Sequence, residues 1–324
     1  MNAFVTGGTG FIGSHLIDLL LKNNFKVYAL IRNIKNPKWL KNKNIEFVEG
    51  NLFHIPSMPK DIDYIFHVAG ITKETKKNDF MRINFMGTKS FLEIIEKNNI
   101  SPKKFIHVST LSSAGPSLDG TPKREDDVPQ PVSKYGLSKF MAENQVILYK
   151  EKFPVVIVRP PAIFGPRDKD TYIFFKMVNK GFLPYIGWGR KFYSFCYISD
   201  LVNGIFLSAE KYVKSGEIIN IAHTESFSLD EFLNILVKYL NPTKTIKLKF
   251  PTPFVYIAAS ISTFLNNFKK SPSIFTLDKF KEMRYPYWTC DTKKAEKILS
   301  FQAENDLEKS VQNTVQWYKE NSWL

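Results

Sequence analysis

The sequence predicts an α/β protein, a doubly wound parallel sheet with helices on both faces, followed by a smaller C-terminal lobe. Strand-like and helix-like segments alternate through the first half of the 324-residue chain, which is the pattern of the βα units that build a parallel sheet. After Gly165 this pattern loosens into shorter elements separated by glycines and prolines. We therefore expect residues 1–165 to form the sheet domain and residues 166–324 to form mainly the second lobe.

Each predicted element is justified by its pattern of apolar residues. Short apolar runs predict strands at 3–5, 26–31, 45–48, 63–68, 103–109 and 155–159, and helical periodicity predicts helices at 11–21, 79–98 and 133–152. In the second half, strands near 195–198 and 217–221 are expected to return to the main sheet. Further helices are predicted at 229–240, 292–299 and 306–321.

Composition and charge exclude several classes of protein. The chain is 44% hydrophobic and 23% charged, as globular proteins are, and no run reaches the ~20 apolar residues of a membrane span. The net charge of +14 is spread over short groups such as Lys76-Lys77 and Lys103-Lys104, which favours a solvated basic surface over a nucleic-acid site. Cys196 and Cys290 lack metal-ligand spacing and form no disulfide framework, so with no signal segment we expect a cytoplasmic protein without a metal.

A glycine-rich loop, Thr6-Gly7-Gly8-Thr9-Gly10-Phe11-Ile12-Gly13, joins the first predicted strand to the first helix. Gly8, Gly10 and Gly13 match the G-x-G-x-x-G fingerprint, and the strand before and helix after supply the context that this fingerprint requires. Such a loop lets the backbone approach a pyrophosphate closely and directs the positive end of a helix toward it. The sequence therefore predicts a dinucleotide site of the Rossmann type.

Tyr135 and Lys139 are the candidates for proton transfer. They lie four residues apart on a predicted helix and so share one face, where a cation would lower the pKa of the phenol toward the range of a proton-transfer catalyst. Tyr172 and Lys176 have the same spacing. Only Tyr135, however, opens the helix that follows the fifth strand and its terminal Ser109-Thr110 pair, which favours Tyr135.

These motifs resemble the extended short-chain dehydrogenase/reductase family, also described as NAD-dependent epimerases and dehydratases. In family order they are the Thr6–Gly13 loop, Asn84-Phe-Met-Gly87-Thr88, Ser109-Thr110, Tyr135–Lys139, Arg159-Pro160 and Ile198–Leu201. The resemblance implies that Tyr135 is the acid/base, that Lys139 binds the nicotinamide ribose and tunes Tyr135, and that Thr110 hydrogen-bonds the reacting oxygen. The family more often has Ser at the position of Thr110, and Ser109, Ser112 and Ser113 are nearby alternatives.

The cofactor is expected at the carboxyl ends of the strands, near the switch in strand order. The residues expected to bind it are Gly7, Gly10, Phe11, Ile12, Gly13, Arg32, Asn51, Leu52, Ala69, Tyr135, Lys139, Pro160 and Ile163. The second strand ends in Leu30-Ile31-Arg32-Asn33, which has a cation and no carboxylate, and a cation there favours a 2′-phosphate. NADP(H) is therefore predicted. NAD is the alternative, because Arg32 could instead stack on adenine.

The predicted reaction is hydride transfer between a nicotinamide cofactor and a carbonyl or secondary alcohol of a small molecule, since a hydroxyl and a tuned phenol stabilise the charge that develops on oxygen. Stretches 112–116, 131–135 and 159–168 resemble the hydroxysteroid dehydrogenase and dihydroflavonol reductase branch, and the aromatic span 172–192 suggests an apolar substrate.

Two other functions stay open at this point. A nucleotide-sugar epimerase or dehydratase would recycle its hydride internally, and Arg167, Arg190 and Lys191 could hold its diphosphate. A non-catalytic dinucleotide sensor is disfavoured, because the hydroxyl, Tyr and Lys set is intact. The resemblance also implies a homodimer through the helices that contain Asp79 and Ser133, and no nucleic-acid partner is expected.

Overall fold

The computed structural model describes residues 1–74, 76–266 and 275–324. The strands in chain order are β1 (Asn2–Thr6), β2 (Lys26–Ile31), β3 (Glu46–Glu49), β4 (Tyr64–His67), β5 (Lys104–Val108), β6 (Val155–Arg159), β7 (Ala162–Phe164), β8 (Phe182–Ile186), β9 (Phe192–Tyr197), β10 (Glu217–Asn220), β11 (Ser226–Ser228), β12 (Ile246–Phe250) and β13 (Tyr287–Trp288).

The helices follow the same order. They are α1 (Phe11–Lys22), α2 (Gly87–Lys97), α3 (Leu111–Ala114), α4 (Lys134–Ile147), α5 (Tyr172–Asn179), α6 (Ile198–Glu210), α7 (Leu229–Leu240), α8 (Thr252–Asn266), α9 (Leu277–Met283), α10 (Lys293–Leu299) and α11 (Leu307–Glu320). A π-helical segment, Met81–Met86, runs directly into α2. No helix in the described ranges is long and apolar enough to cross a bilayer.

The main sheet has seven parallel strands in the order β10-β6-β5-β4-β1-β2-β3. Helices cover both of its faces, which confirms the predicted doubly wound α/β fold. The strand order reverses between β1 and β4, so a crevice opens beyond the carboxyl ends of these two strands.

Alternation along β1 divides the core of the sheet into two layers. Ala3 and Val5 face α1 and α6, while Phe4 faces the opposite layer, where it packs against Phe91 of α2. Both layers are closed to solvent. The strands are consequently fixed on both faces, and their carboxyl ends form a rigid edge on which a site can be built.

The second lobe contains two small sheets, and here one expectation is wrong. Residues 195–198 were expected to return to the main sheet, but β9 lies in a separate sheet, where it pairs with β7, β11 and β13. Residues Glu217–Asn220, by contrast, form the edge strand β10 of the main sheet, next to β6. The second small sheet pairs β8 with β12.

Candidate active site

A cavity of about 2290 Å³ lies beyond the carboxyl ends of the main strands and extends under the second lobe. Sites for one small ligand usually measure about 300–1,000 Å³, so this one has room for a dinucleotide and a second molecule. Its walls include every residue predicted to act in catalysis or to bind the cofactor: Gly7, Gly10, Phe11, Ile12, Gly13, Arg32, Asn51, Leu52, Ala69, Thr110, Tyr135, Lys139, Pro160 and Ile163.

The glycine loop is shaped for close approach of a ligand. Gly7 has a φ of +73°, and a Cβ on Gly13 would lie 2.3 Å from the Gly7 carbonyl oxygen, so neither position accepts a larger residue without rearrangement. The Gly7 carbonyl accepts from the Gly10 N–H at 2.9 Å. No side chain caps α1, and its first turn has no acidic residue. The free N–H groups and helix dipole therefore suit a pyrophosphate.

A buried chain of hydrogen bonds ties the loop to the neighbouring strand. Thr6 Oγ1 accepts from the Ala69 N–H at 3.1 Å and contacts His67 Nδ1 at 2.8 Å, and His67 Nε2 contacts Thr88 Oγ1 at 2.9 Å. Since Thr88 donates its hydrogen to the Asn84 carbonyl, His67 donates from Nε2 and Thr6 donates to Nδ1. Burial lowers the pKa of His67 to about 3, so this neutral imidazole is a structural link.

The hydroxyl loop after β5 is positioned by a buried ion pair. Arg159 Nε and Nη2 donate to the two oxygens of Glu143 at 3.0 and 2.6 Å, and both side chains are at most 2% exposed. Ser109 and Ser113 both donate to Glu143 Oε1. The hydroxyls of these two alternatives to Thr110 are therefore engaged by Glu143, although Ser109, like Thr110 and Ser112, lines the cavity.

Thr110 and Tyr135 both line the cavity, and the Thr110 hydroxyl is close enough to lower the pKa of the Tyr135 phenol. Thr110 Oγ1 accepts from the Ser112 N–H at 3.2 Å, as the N-cap of α3. Tyr135 is placed by a doubly capped helix start: Ser133 Oγ accepts from Gly136 N at 2.9 Å, and Asp278 accepts from the backbone N–H groups of Lys134 and Tyr135. The cap from Asp278 comes from α9, so the second lobe helps to place Tyr135.

The pKa of Tyr135 departs from its usual value in the direction opposite to the sequence prediction. Loss of water around the phenol raises it, the nearby Glu282 carboxylate adds to the rise, and the Thr110 hydroxyl opposes it. Burial lowers the pKa of Lys139 to about 8, and its Nζ donates to the Val108 carbonyl at 2.8 Å. Lys139 therefore does not lower the pKa of Tyr135, since its ammonium is directed at β5.

Asn84 is a buried residue next to the cavity whose supporting role sequence reasoning missed. Its amide donates to the Ile71 carbonyl at 3.1 Å and to Ser138 Oγ at 3.0 Å, and its Oδ1 accepts from the Ile71 N–H at 2.8 Å. It thereby joins the π-helical segment, the loop after β4 and α4, next to Lys139. The Asn84–Thr88 motif is part of the family resemblance, but the sequence assigns it no role. The position of Asn84 in a π-helical segment is a structural signal, since such segments often mark functional sites.

The second Tyr/Lys pair with the same spacing lies elsewhere. Tyr172 Oη donates to the backbone carbonyl of Trp323, and its ring packs edge-on against Tyr318 at 5.1 Å. Lys176 is exposed to solvent. Tyr172 is thus held by the C-terminal helix and the residues that follow it, and it is not part of the cavity wall.

Beyond the end of β2, Arg32 is exposed, lines the cavity and makes no ion pair within the part of the chain that is described. Asn51 Oδ1 accepts from the Phe53 N–H at 2.9 Å, which leaves its NH₂ group free to donate toward the cavity. Leu52 is buried and packs against Gly87. These three residues place a cation, an amide and an apolar side chain on the same part of the cavity wall.

Of the three cations considered for a diphosphate, Arg167 and Lys191 line the cavity and Arg190 does not. Arg167 donates to Asp18 at 2.9 Å and lies over the ring of Trp39. Lys191 donates to the Met283 carbonyl, and burial lowers the pKa of its ammonium to about 8. Arg190 is exposed and is not part of the cavity wall. The residues proposed for a nucleotide-sugar diphosphate thus belong to three different surroundings.

Comparison with known proteins places this geometry in a family. Residues 3–222 match the model of the NAD dependent epimerase/dehydratase family. The chain is 26% identical to mouse sterol-4-alpha-carboxylate 3-dehydrogenase (decarboxylating), over 96% of the chain and 89% of the relative, and 28% identical to human dTDP-D-glucose 4,6-dehydratase, over 98% and 89%. The structure of Bacillus cereus UDP-glucuronic acid 4-epimerase with UDP-glucuronic acid and NAD superposes with a TM-score of 0.80 at 25% identity, covering 99% of this chain and 100% of that one. The chain belongs to the NAD-dependent epimerase/dehydratase family, as its motifs predicted.

Proposed function

We propose that this protein is an NAD(P)-dependent oxidoreductase that moves a hydride between a nicotinamide cofactor and a carbonyl or secondary alcohol of a small apolar molecule. The observation that carries the proposal is that Thr110, Tyr135 and Lys139 all line one cavity, which the glycine loop lines as well. A hydroxyl, a phenol and an ammonium in one place are what proton transfer to a reacting oxygen requires.

Each of the three residues has a separate role in the proposed reaction. Tyr135 Oη holds the proton that passes to or from the substrate oxygen, and Thr110, which lines the same cavity, donates to the same oxygen and stabilises the charge that develops there. In the reducing direction a bound nicotinamide supplies the hydride to carbon, so hydride and proton together convert C=O to CH–OH. Lys139 supplies the cation that favours tyrosinate once ligands rearrange its contact with the Val108 carbonyl.

The cofactor we propose is NADP(H), because Arg32 stands where a carboxylate would otherwise bind the ribose 2′-hydroxyl. Replacing Arg32 with Ala should weaken NADP binding by about tenfold or more, the loss of one charge-assisted contact, and leave NAD binding within about twofold. Titration of both cofactors against both proteins measures this. Undiminished NADP binding in the variant would remove the basis of the assignment.

An apolar substrate is supported by the second-lobe side of the cavity. Aromatic side chains line it: Phe174, Tyr193, Phe195, Phe232, Phe250 and Trp288. The mouse relative is named for a sterol, and Arg167 and Lys191 are already engaged by Asp18 and the Met283 carbonyl, so neither is a free cation for a diphosphate. These observations favour a substrate recognised mainly by its apolar surface.

The second candidate is a nucleotide-sugar epimerase or dehydratase, and the superposition on the Bacillus cereus epimerase favours it. The two candidates differ in what becomes of the cofactor. Protein purified with tightly bound nicotinamide, detected by absorbance, would support the epimerase or dehydratase. Protein that is empty and turns over added NADPH would support the oxidoreductase.

The acid/base role of Tyr135 has a matched control in Tyr172. Tyr135→Phe should lower kcat by about 10²–10⁴-fold while cofactor binding is retained, because only the transferable proton is removed. Tyr172→Phe, which removes the hydroxyl from a phenol outside the reacting centre, should leave kcat within about threefold. Full activity of Tyr135→Phe would refute the mechanism.

A homodimer through α2, its π-helical lead-in and α4 belongs to the proposal. Met86 and Leu137 on these elements are 54% and 44% exposed, which suits burial against a second copy. Light scattering of the wild type and of Leu137→Arg tests it: a dimer that the charge converts to a monomer is expected, and a monomeric wild type would contradict it.

A further inference from the structure

Exposed apolar residues of this protein concentrate in one part of the second lobe. On α8, Phe254, Ile257 and Ile261 are 68%, 53% and 55% exposed. Their spacing of three and four residues, continued by Leu265, places them on one side of the helix. Val255 and Ala259, on the other side, are buried against Phe280 of α9. The helix is thus packed on one face and open on the other.

The neighbouring small sheet extends this surface. Gly187 N, directly after β8, donates to the Phe250 carbonyl at the end of β12, so the Trp188 loop adjoins the start of α8. Trp188, Ile246 and Phe250 are 76%, 56% and 42% exposed. We call the seven residues Phe254, Ile257, Ile261, Leu265, Trp188, Ile246 and Phe250 the apolar face. Contiguous apolar surface of this kind marks a place where something binds.

The charged residues around the apolar face indicate which kind of partner binds there. The 15 residues of α8 include no ionisable acid or base, apart from the weakly acidic Tyr256, and Lys249 lies over the ring of Trp188. On the neighbouring α9 segment, Lys281 and Arg284 are exposed. The rim is therefore cationic.

The acidic groups of the adjoining elements are turned to other partners. Asp278 accepts from the backbone of α4, and Glu282 accepts from Ser133 and Lys279. Asp230 accepts from Tyr185 and lies 3.9 Å from Lys247. The carboxylates therefore leave the positive charge of Lys249, Lys281 and Arg284 available to a ligand.

From these observations we propose that the apolar face docks onto an anionic lipid membrane surface. An apolar stripe with a cationic rim matches the boundary between acyl chains and acidic headgroups. A helix of 15 residues is about 22 Å long, shorter than the ~30 Å hydrocarbon core, so α8 lies on the membrane and does not cross it. A second copy of the chain docked on the same face would oppose like charges across a two-fold axis.

The docked orientation also brings the cavity to the membrane. Phe250, Phe254 and Tyr256 contribute to the wall of the cavity that contains Tyr135. The surface that meets lipid is therefore continuous with the route to the catalytic groups. Docking itself does not depend on which reaction the site performs.

The test is co-sedimentation of the full chain with vesicles of phosphatidylcholine and phosphatidylglycerol, and with phosphatidylcholine alone. The wild type should bind the anionic vesicles, and more weakly as salt is raised. The triple variant Phe254→Ser, Ile257→Ser, Ile261→Ser should bind about tenfold or more weakly, because three apolar side chains no longer enter the interface. The matched control Leu118→Ser, Val128→Ser, Leu148→Ser removes three side chains that are 68–74% exposed elsewhere and should bind like the wild type.

Three results would overturn the proposal. They are failure of the wild type to bind anionic vesicles, equal binding by the α8 variant, and an α8 variant that loses self-association in light scattering while its vesicle binding is unchanged. If the α8 variant does not fold, the proposal is tested instead by measuring how far brominated lipid quenches the tryptophan fluorescence of the wild type. Quenching should fall in Trp188→Phe, and quenching that is unchanged in that variant would equally reject the proposal.

Discussion

At the scale of single residues, sequence could predict which side chains reach the site but not the state in which the fold holds them. The four-residue spacing of Tyr135 and Lys139 correctly implied a shared helical face, and both line the cavity. Burial is decided by the whole fold, however, and it raises the pKa of Tyr135. The Val108 carbonyl, which accepts from Lys139, offers no sequence signal because any residue has a carbonyl.

The lowered pKa of Lys139 predicts a specific dependence of stability on pH. Burial lowers it to about 8 in the folded protein, against an ordinary value near 10.5, so the folded state is penalised for the charge at pH below 8. The penalty disappears as pH rises from about 8 to 10.5, because the folded protein releases the proton first. Relative to Lys139→Met, the free energy of unfolding of the wild type should therefore rise by roughly 3 kcal/mol over that interval.

Urea unfolding of both proteins without cofactor, at pH 7.5 and at pH 10, measures this difference. The comparison with the variant cancels the titration of all other groups. A difference between the two proteins that is the same at both pH values would show that Lys139 is not held in a desolvated state.

At the scale of elements, the pattern of apolar residues predicted the boundaries of strands and helices correctly where burial alone determines that pattern. Strands β2 and β6 begin and end at the predicted residues, because both of their faces are buried and the run is therefore mostly apolar. Helix α7 spans the predicted residues 229–240, because one stripe of it is buried and its apolar residues therefore recur with helical spacing. The predicted helix at 79–98 begins instead as the π-helical segment Met81–Met86. Strands β8 and β12 were missed, since the exposed residues of β12 do not alternate with buried ones.

The ion pair between α4 and β6 predicts a large effect of one substitution on stability. Glu143→Gln leaves Arg159 buried without a counter-charge, and removing one partner of a buried pair typically costs about 3–5 kcal/mol. The matched surface substitution is Glu96→Gln, because Glu96 and Lys152 form an ion pair in which both side chains are about half exposed. Its loss should cost under about 1 kcal/mol.

Denaturant unfolding of the two variants, analysed with a common m-value, gives the comparison. Thermal shifts with NADP added would show in addition whether Ser109 and Ser113, which donate to Glu143, pass the disturbance to the cofactor. Losses of equal size in the two variants would mean that the buried pair does not organise the hydroxyl loop.

At the scale of the whole molecule, the order of motifs predicted the family and the doubly wound sheet. It did not predict which segments after residue 165 belong to the main sheet and which to the second lobe. Residues 195–198 have the apolar character of a core strand, and nothing local in them specifies which sheet they join. Helix α6, which follows β9, packs against α1 and β5 of the main sheet. The chain thus passes from the first lobe to the second and back again.

This interleaving predicts that residues 1–165 will not fold alone. Counted over the described residues, twelve of the 26 buried residues in the core on the α1 side come from beyond residue 165, among them Leu201, Ile205, Ile219 and Leu299. Without them the main sheet loses its edge strand β10 and the helix that covers one face, and exposing that much apolar area at about 25 cal/mol per Å² exceeds the net stability of a domain. The fragment 1–165 should therefore show no cooperative thermal transition and no NADP binding, whereas co-expression with 166–324 should restore both. A fragment 1–165 that unfolds cooperatively and binds NADP as the full chain does would show that the sheet domain is independent, and that the shared core is dispensable.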